Sequence, residues 1–238
     1  MSVVLVAGFL ALSLATLSAS GSAKPEGYLA EPKSGKGPGV LVLHPWWGLN
    51  ADTKAFCDRL ADSGFVAFAP DMFHGQTATT PEAAEALTKA HRSKEAEIKA
   101  QILESAKYLE ERTGKKEIAV VGFSYGAYYA LDFSNAEPTR VRALVDFYGT
   151  GEEDFSQSKA SYLGHFAEKD EFEPKESVDS LAKALKEAGR PATIHTYSGT
   201  GHWFFEPSVK AAYNKEASDL AWARTLGFLR TTLGTEAD

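Results

Sequence analysis

Gly122-Phe123-Ser124-Tyr125-Gly126 decides how this chain is read. The apolar run Ile118-Ala119-Val120-Val121 precedes it, and Ala127-Tyr128-Tyr129-Ala130-Leu131 follows as the start of a helix. A strand, a tight glycine-flanked turn carrying a serine, and then a helix is the context in which G-x-S-x-G marks a nucleophile elbow. A turn this sharp holds its serine in a strained backbone conformation, so the residues two before and two after must leave room for close backbone approach. The following helix also aims its amino terminus, with unpaired N–H groups, at the serine.

The composition narrows what surrounds this turn. The 238 residues are 44% hydrophobic and 11% aromatic, enough for one domain with a large core. The net charge of −7, without a cluster of Lys or Arg, makes nucleic acid and acidic membrane surfaces poor partners. The one cysteine, Cys57, excludes an internal disulfide framework and a cysteine-built metal site. It falls in an expected helix, 51–63, and reads as a small buried residue. Val3 to Leu17 is an apolar run followed by small residues of the kind a signal peptidase accepts, but no Lys or Arg precedes it. Residues 1–20 are therefore read as an export signal or as a first edge strand, with a single domain over 21–238. The first reading implies a secreted or periplasmic protein and the second a cytoplasmic one. No stable membrane insertion of the mature domain is expected.

Outward from the elbow, strand and helix patterns alternate. Strands are expected at 26–30, 40–43, 65–69, 118–121, 143–148, 161–167 and 193–197. Helices are expected at 51–63, from the Thr80-Pro81-Glu82 start, at 94–112, after the elbow, at 177–188 and at 208–233. Val40-Leu41-Val42-Leu43 is apolar throughout, as befits a strand buried on both faces. This alternation predicts an α/β fold, a mostly parallel central sheet with helices on both faces. Ligands of such sheets sit beyond the carboxyl ends of the strands.

A serine hydroxyl needs a base to take its proton during attack. Of six histidines, His202 lies in Ser198-Gly199-Thr200-Gly201-His202, read as a loop just after the last strand. His195 and His91 read as structural, whereas His44 and His165 lie near strand ends and stay open as alternatives. The imidazole needs a carboxylate to fix its tautomer, and Asp170 directly follows a strand between the elbow and His202. Asp146 lies within a strand and Asp71 precedes the serine; the order Ser, Asp, His favours Asp170. Oxyanion donors are expected from the backbone of Tyr125 and of Trp46, since Pro45 has no N–H. Trp46 and Trp47, adjacent at a loop mouth, are read as pocket walls.

The chain resembles the dienelactone hydrolase family of α/β-hydrolases from about Gly27 to its end. The resemblance rests on Pro38-Gly39-Val40 leading into His44-Pro45-Trp46-Trp47-Gly48-Leu49-Asn50, then Ala69-Pro70-Asp71, the elbow, Phe147-Tyr148-Gly149, Glu168-Lys169-Asp170 and Gly201-His202. It implies the α/β-hydrolase fold without a large cap domain, no metal and no cofactor, and a triad at Ser124, Asp170 and His202. Three departures matter. The family's founding enzymes have a cysteine where Ser124 stands. They have a glutamate, thought to gate the nucleophile, where Pro45 stands, so a triad assembled at rest is expected here. The arginines that bind a dienelactone's carboxylate have no evident counterpart, with Gly75 where one is expected. A pocket of Trp46, Trp47, Phe73, Tyr125, Trp203 and Phe204 would suit a small neutral ester or lactone. The expected activity is a serine carboxylic ester hydrolase, monomeric or homodimeric. A thioesterase, a peptidase or a non-catalytic ligand-binding relative are the alternatives.

Overall fold

The computed structural model describes residues 24–151 and 154–234. The leader or edge-strand alternative for residues 1–20 lies outside them. Seven strands form one sheet in the order β1-β3-β2-β4-β5-β6-β7: β1 Gly27–Ala30, β2 Gly39–Leu43, β3 Val66–Pro70, β4 Ile118–Phe123, β5 Val141–Phe147, β6 Ser161–Lys169 and β7 Ala192–Gly201. Only β1 runs antiparallel, against β3; every other neighbouring pair is parallel. β2, β3 and β4 are buried at every position, which is why their sequences do not alternate.

The helices are α1 Ala51–Asp62, α2 Pro81–His91, α3 Glu95–Thr113, α4 Tyr125–Ala136, α5 Lys175–Glu187 and α6 Lys215–Leu233. Two apolar layers result. Alternate strand residues such as Leu41, Leu43 and Val120 pack with α2 to α5, while Val40, Val42 and Val121 pack with α1 and α6. Local chemistry sets several helix ends. Asn50 caps α1 through Thr53 N–H (3.1 Å), Thr80 caps α2 through Ala83 N–H (3.3 Å), and α3 stops at Gly114 in a left-handed conformation.

Two boundaries differ from the sequence expectation. The glycine-rich stretch 198–201 is not a loop, because β7 continues through it to Gly201. The Gly199 N–H donates to Glu168 Oε2 (2.8 Å), and an edge strand tolerates such residues. The last helix starts at Lys215 rather than at 208. Asn214 caps it by accepting from Ala217 N–H (3.0 Å), and residues 203–213 fold as successive turns pinned to α1 by Ser208 N–H on Asp52 Oδ2 (2.9 Å).

The strand order reverses at β2. The chain passes from β2 to β3 on one side and then to β4 on the other, so the ends of β2 and β4 form the crevice where such sheets bind ligands. Leu43 at the end of β2 is level with Gly122. The Trp46 loop and the Ser124 turn therefore leave the sheet side by side.

Candidate active site

Ser124 links β4 to α4 with φ 48° and ψ −112°, a conformation that costs a non-glycine residue on the order of 1–3 kcal/mol. The glycines around it have measurable reasons. A Cβ at Gly122 would stand 2.5 Å from Ala127 Cα, and one at Gly126 would stand 2.2 Å from Leu43 O. The second contact shows how tightly the first turn of α4 crosses the end of β2. Tyr125 is the first residue of α4, where helix geometry leaves the backbone N–H without an intrahelical acceptor.

His202 follows β7 directly, and Asp170 follows β6 directly. His202 Nε2 lies 2.9 Å from Ser124 Oγ, and His202 Nδ1 lies 2.7 Å from Asp170 Oδ2. Both the imidazole and the carboxylate are almost completely buried. A carboxylate accepts only, so Nδ1 carries the proton and Nε2 offers its lone pair to the serine hydroxyl. The other oxygen of Asp170 accepts from Phe172 N–H (2.9 Å) and Glu173 N–H (3.0 Å), which locks the carboxylate's orientation. Residues 78 positions apart in the chain thus share one hydrogen-bonded row.

The other candidates are engaged elsewhere. His44 donates from Nδ1 to Pro45 O (2.8 Å) and accepts Met72 N–H at Nε2 (3.1 Å); burial pulls its pKa down to about 4. His165 lies between Tyr197 Oη (2.9 Å) and Thr225 Oγ1 (3.0 Å), and burial holds it well below the ordinary imidazole range. Asp71 accepts from Phe73 and Gly75 N–H and so shapes the turn after β3. Asp146 accepts Gly149 N–H (3.0 Å) from within β5, and its carboxyl is raised well above the usual range by burial, with nearby Glu173 adding to the effect.

An open cleft of about 700 Å³ meets the Ser124 hydroxyl, lined by Trp46, Tyr125, Phe172 and Glu173 and by Pro81, Glu82, Glu85, Thr88 and Arg92 of α2 and its ends. The expected wall residues are placed differently. Trp47 is buried edge-on to Trp46, and Phe73 is fully buried between His44, His91 and Tyr125. Phe204 is fully buried against Tyr148 and Tyr197. Trp203, at φ 64°, stacks on Trp46 with centroids 5.5 Å apart and backs the wall from behind. The expected pocket-wall role of Trp47, Phe73 and Phe204 is corrected, because their rings are buried in the core. Arg92, at the carboxyl end of α2, is the one arginine among the residues lining this cleft.

Sequence reading missed Phe172 and Glu173. Phe172 is 53% exposed, unusual for so large an apolar side chain, and its ring lies 5.0 Å from that of His202. The signal was available in Asp170 itself: an aspartate that accepts from N–H groups two and three residues on turns those residues back toward it. Behind the site, Tyr148 at φ 44° packs its ring 4.8 Å from His202 and donates its hydroxyl to Glu206 Oε1 (2.8 Å). Burial pushes the Glu206 carboxyl up to about 8. Its Oε2 has no partner in hydrogen-bonding geometry among the described residues.

Among the described residues no cluster of three or more His, Cys, Asp or Glu side chains is arranged to hold a metal ion, and no helix is long and apolar enough to cross a membrane. Residues 26–233 match the dienelactone hydrolase family. "Protein usf" of Aquifex pyrophilus is 34% identical over 219 residues, covering 88% of this chain and 94% of its own. A protein of Aquifex aeolicus, whose name provisionally assigns it as a carboxymethylenebutenolidase, is 33% identical over 219 residues with the same two coverages. A solved structure described as a dienelactone hydrolase-like promiscuous phosphotriesterase from metagenomic libraries has a TM-score of 0.74 at 20% identity, over 84% of this chain and 88% of that one. At that identity the likeness is one of fold.

Proposed function

The chain belongs to the dienelactone hydrolase family, and from that premise we propose that it is a serine carboxylic ester hydrolase acting on small neutral esters or lactones through an acyl-enzyme. The observation that carries this reading is the unbroken row Ser124 Oγ, His202 Nε2, His202 Nδ1, Asp170 Oδ2, with separations of 2.9 Å and 2.7 Å. As Ser124 Oγ bonds to the ester carbonyl carbon, its proton passes to His202 Nε2. The carbonyl oxygen gains negative charge and takes hydrogen bonds from the Tyr125 and Trp46 amides. When the tetrahedral centre collapses, the bond to the leaving oxygen breaks and His202 returns the proton to that oxygen. Water then enters: its proton goes to His202, its oxygen bonds to the acyl carbon, and Ser124 leaves with the proton restored. Asp170 holds the imidazole's tautomer and offsets its charge throughout.

Pro45 bears on the resting state. It has no carboxylate to draw the nucleophile away, which agrees with a serine already hydrogen-bonded to its base. The test is turnover of p-nitrophenyl esters of graded acyl length by wild type and Ser124→Ala, with fluorophosphonate labelling of the folded protein. Loss of roughly 10³-fold or more in kcat/KM in the variant, with labelling confined to wild type, is expected. Equal rates in the two proteins would end the proposal.

A further inference from the structure

The cleft that meets Ser124 has an uneven chemistry that the triad does not use. One side is aromatic: Trp46 and Phe172 meet edge to face with centroids 5.8 Å apart. Beside them Glu173 lines the cleft, and Thr150 Oγ1 donates to its Oε2 (2.5 Å). The turn that orients Asp170 also fixes Glu173, because Asp170 Oδ1 accepts the Glu173 N–H. The carboxylate is thus held at a set place relative to the reacting centre. The same lining includes Glu82 and Glu85, one turn apart on α2, and one cation, Arg92, at the exposed end of that helix. A second carboxyl lies beneath: Asp146 is 3% exposed, its Oδ2 has no hydrogen-bond partner among the described residues, and Glu173 is close enough to push its pKa further up.

We infer that Glu173 is a specificity-determining residue, and that with Trp46 and Phe172 it selects esters whose acyl group carries an ammonium charge and rejects those carrying a carboxylate. The inference rests on the ester-hydrolase reading and replaces its neutral substrate class with one whose acyl group is cationic. An ammonium group beside this carboxylate gains from opposite charge, and gains further where it lies over a face of Trp46 or Phe172. A carboxylate in the same place meets like charge in a partly desolvated cleft, which discriminates strongly against it. Burial raises the Glu173 carboxyl somewhat above its ordinary value, and an incoming cation would favour its charged form. Arg92 offers an anion only a solvated rim contact, which is worth little.

Three p-nitrophenyl esters of similar length test this: the butyrate, the 4-trimethylammoniobutyrate and the hemiglutarate, each corrected for spontaneous hydrolysis. Wild type is expected to show kcat/KM for the cationic ester exceeding that for the anionic one by about 10- to 100-fold. Glu173→Gln is expected to shrink that ratio at least several-fold, chiefly through KM, and Glu173→Asp to keep most of it. A ratio unaltered in a Glu173→Gln protein that still turns over the butyrate overturns the inference and leaves the hydrolase reading standing. So does a wild-type preference for the hemiglutarate. Absence of butyrate turnover in wild type sinks the hydrolase reading, and this inference with it. A second measurement needs no variant. At constant ionic strength, benzyltrimethylammonium is expected to inhibit butyrate turnover competitively, and phenylacetate to inhibit far less. Equal inhibition by the two would also overturn the inference.

Discussion

Replacing Glu206 with glutamine should uncouple stability from alkaline pH. Glu206 is 3% exposed, and its carboxyl titrates at about 8, against 4.5 for an unburied glutamate. Between those values the folded chain holds a proton that the unfolded chain has released, so stability falls as pH rises and levels off above the folded value. At ~1.36 kcal/mol for each pH unit, the loss across that interval has a ceiling on the order of 5 kcal/mol. Glutamine keeps an oxygen to accept from the Tyr148 hydroxyl, now 2.8 Å from Oε1, and puts an N–H₂ where a protonated Oε2 stands. The Trp47 indole N–H also faces this carboxyl, so the added N–H₂ brings a pH-independent cost and the difference between the proteins is read as its change with pH. From about pH 5 to 8.5, urea denaturation should find Glu206→Gln gaining several kcal/mol on wild type, with an unchanged m-value. Asp146 and Glu173, also raised by burial, tilt both curves alike and cancel in the difference. Stability curves for the two proteins that run parallel from about pH 5 to 8.5 would refute the reasoning, since Glu206 would then carry no excess proton in the fold.

Other perturbations act on different links of the same chain. Gly126→Ala should destabilise the protein by roughly 2 kcal/mol or more and abolish turnover, because the added Cβ meets backbone Leu43 O at 2.2 Å; thermal melts and butyrate turnover read both effects. Tyr148→Phe leaves the Glu206 carboxyl without its donor and should cost about 1–3 kcal/mol, readable by urea denaturation at about pH 7. His44, buried neutral with a pKa near 4 against an ordinary 6.5, contributes stability that is full above 6.5 and is lost as pH falls toward 4, on the order of 3 kcal/mol at most. His165 has the same sign, but the raised carboxyls of Glu206 and Asp146 tilt overall stability the other way across that window, so the imidazoles are read one by one by NMR titration of their ring protons; titration of either near 6.5 in the folded protein would count against its being buried neutral.

The parts of this molecule legible from sequence were those where local chemistry and backbone constraint coincide. Gly122, Ser124 and Gly126 could be read because the turn leaves no room for a Cβ on either side, so the glycines are a steric record of the fold. The continuous apolar run before the elbow matches a strand buried at all six positions. His202 and Asp170 were readable for a different reason. Each directly follows a strand of a parallel sheet, and strands that run the same way deliver their ends to one rim. Chain order then distinguished Asp170 from Asp71, and position within β5 separated it from Asp146.

Cleft walls do not obey such rules, and the misplaced residues show why. Phe73, Phe204 and Trp47 are as aromatic as Trp46, and Trp47 and Phe204 lie within two residues of Trp46 and His202, but side-chain direction decides between core and cleft, and no periodicity extends through a loop. Trp203 shows the sensitivity: its positive φ turns the chain immediately after His202, so Trp203 backs Trp46 while Phe204 faces Tyr148. The residues that do enter the cleft, Phe172 and Glu173, are delivered by the hydrogen bonds that also hold Asp170. This ties two functions to one turn. Substitution at 172 or 173 that preserves the two backbone N–H groups can alter what the cleft admits without moving the carboxylate that orients His202. Proline at either position removes one of those donors and should disturb the triad itself. On the proposed mechanism, selectivity can therefore change through side chains at 172 and 173, while the backbone of the same turn must stay as it is for Asp170 to keep its hydrogen bond to His202.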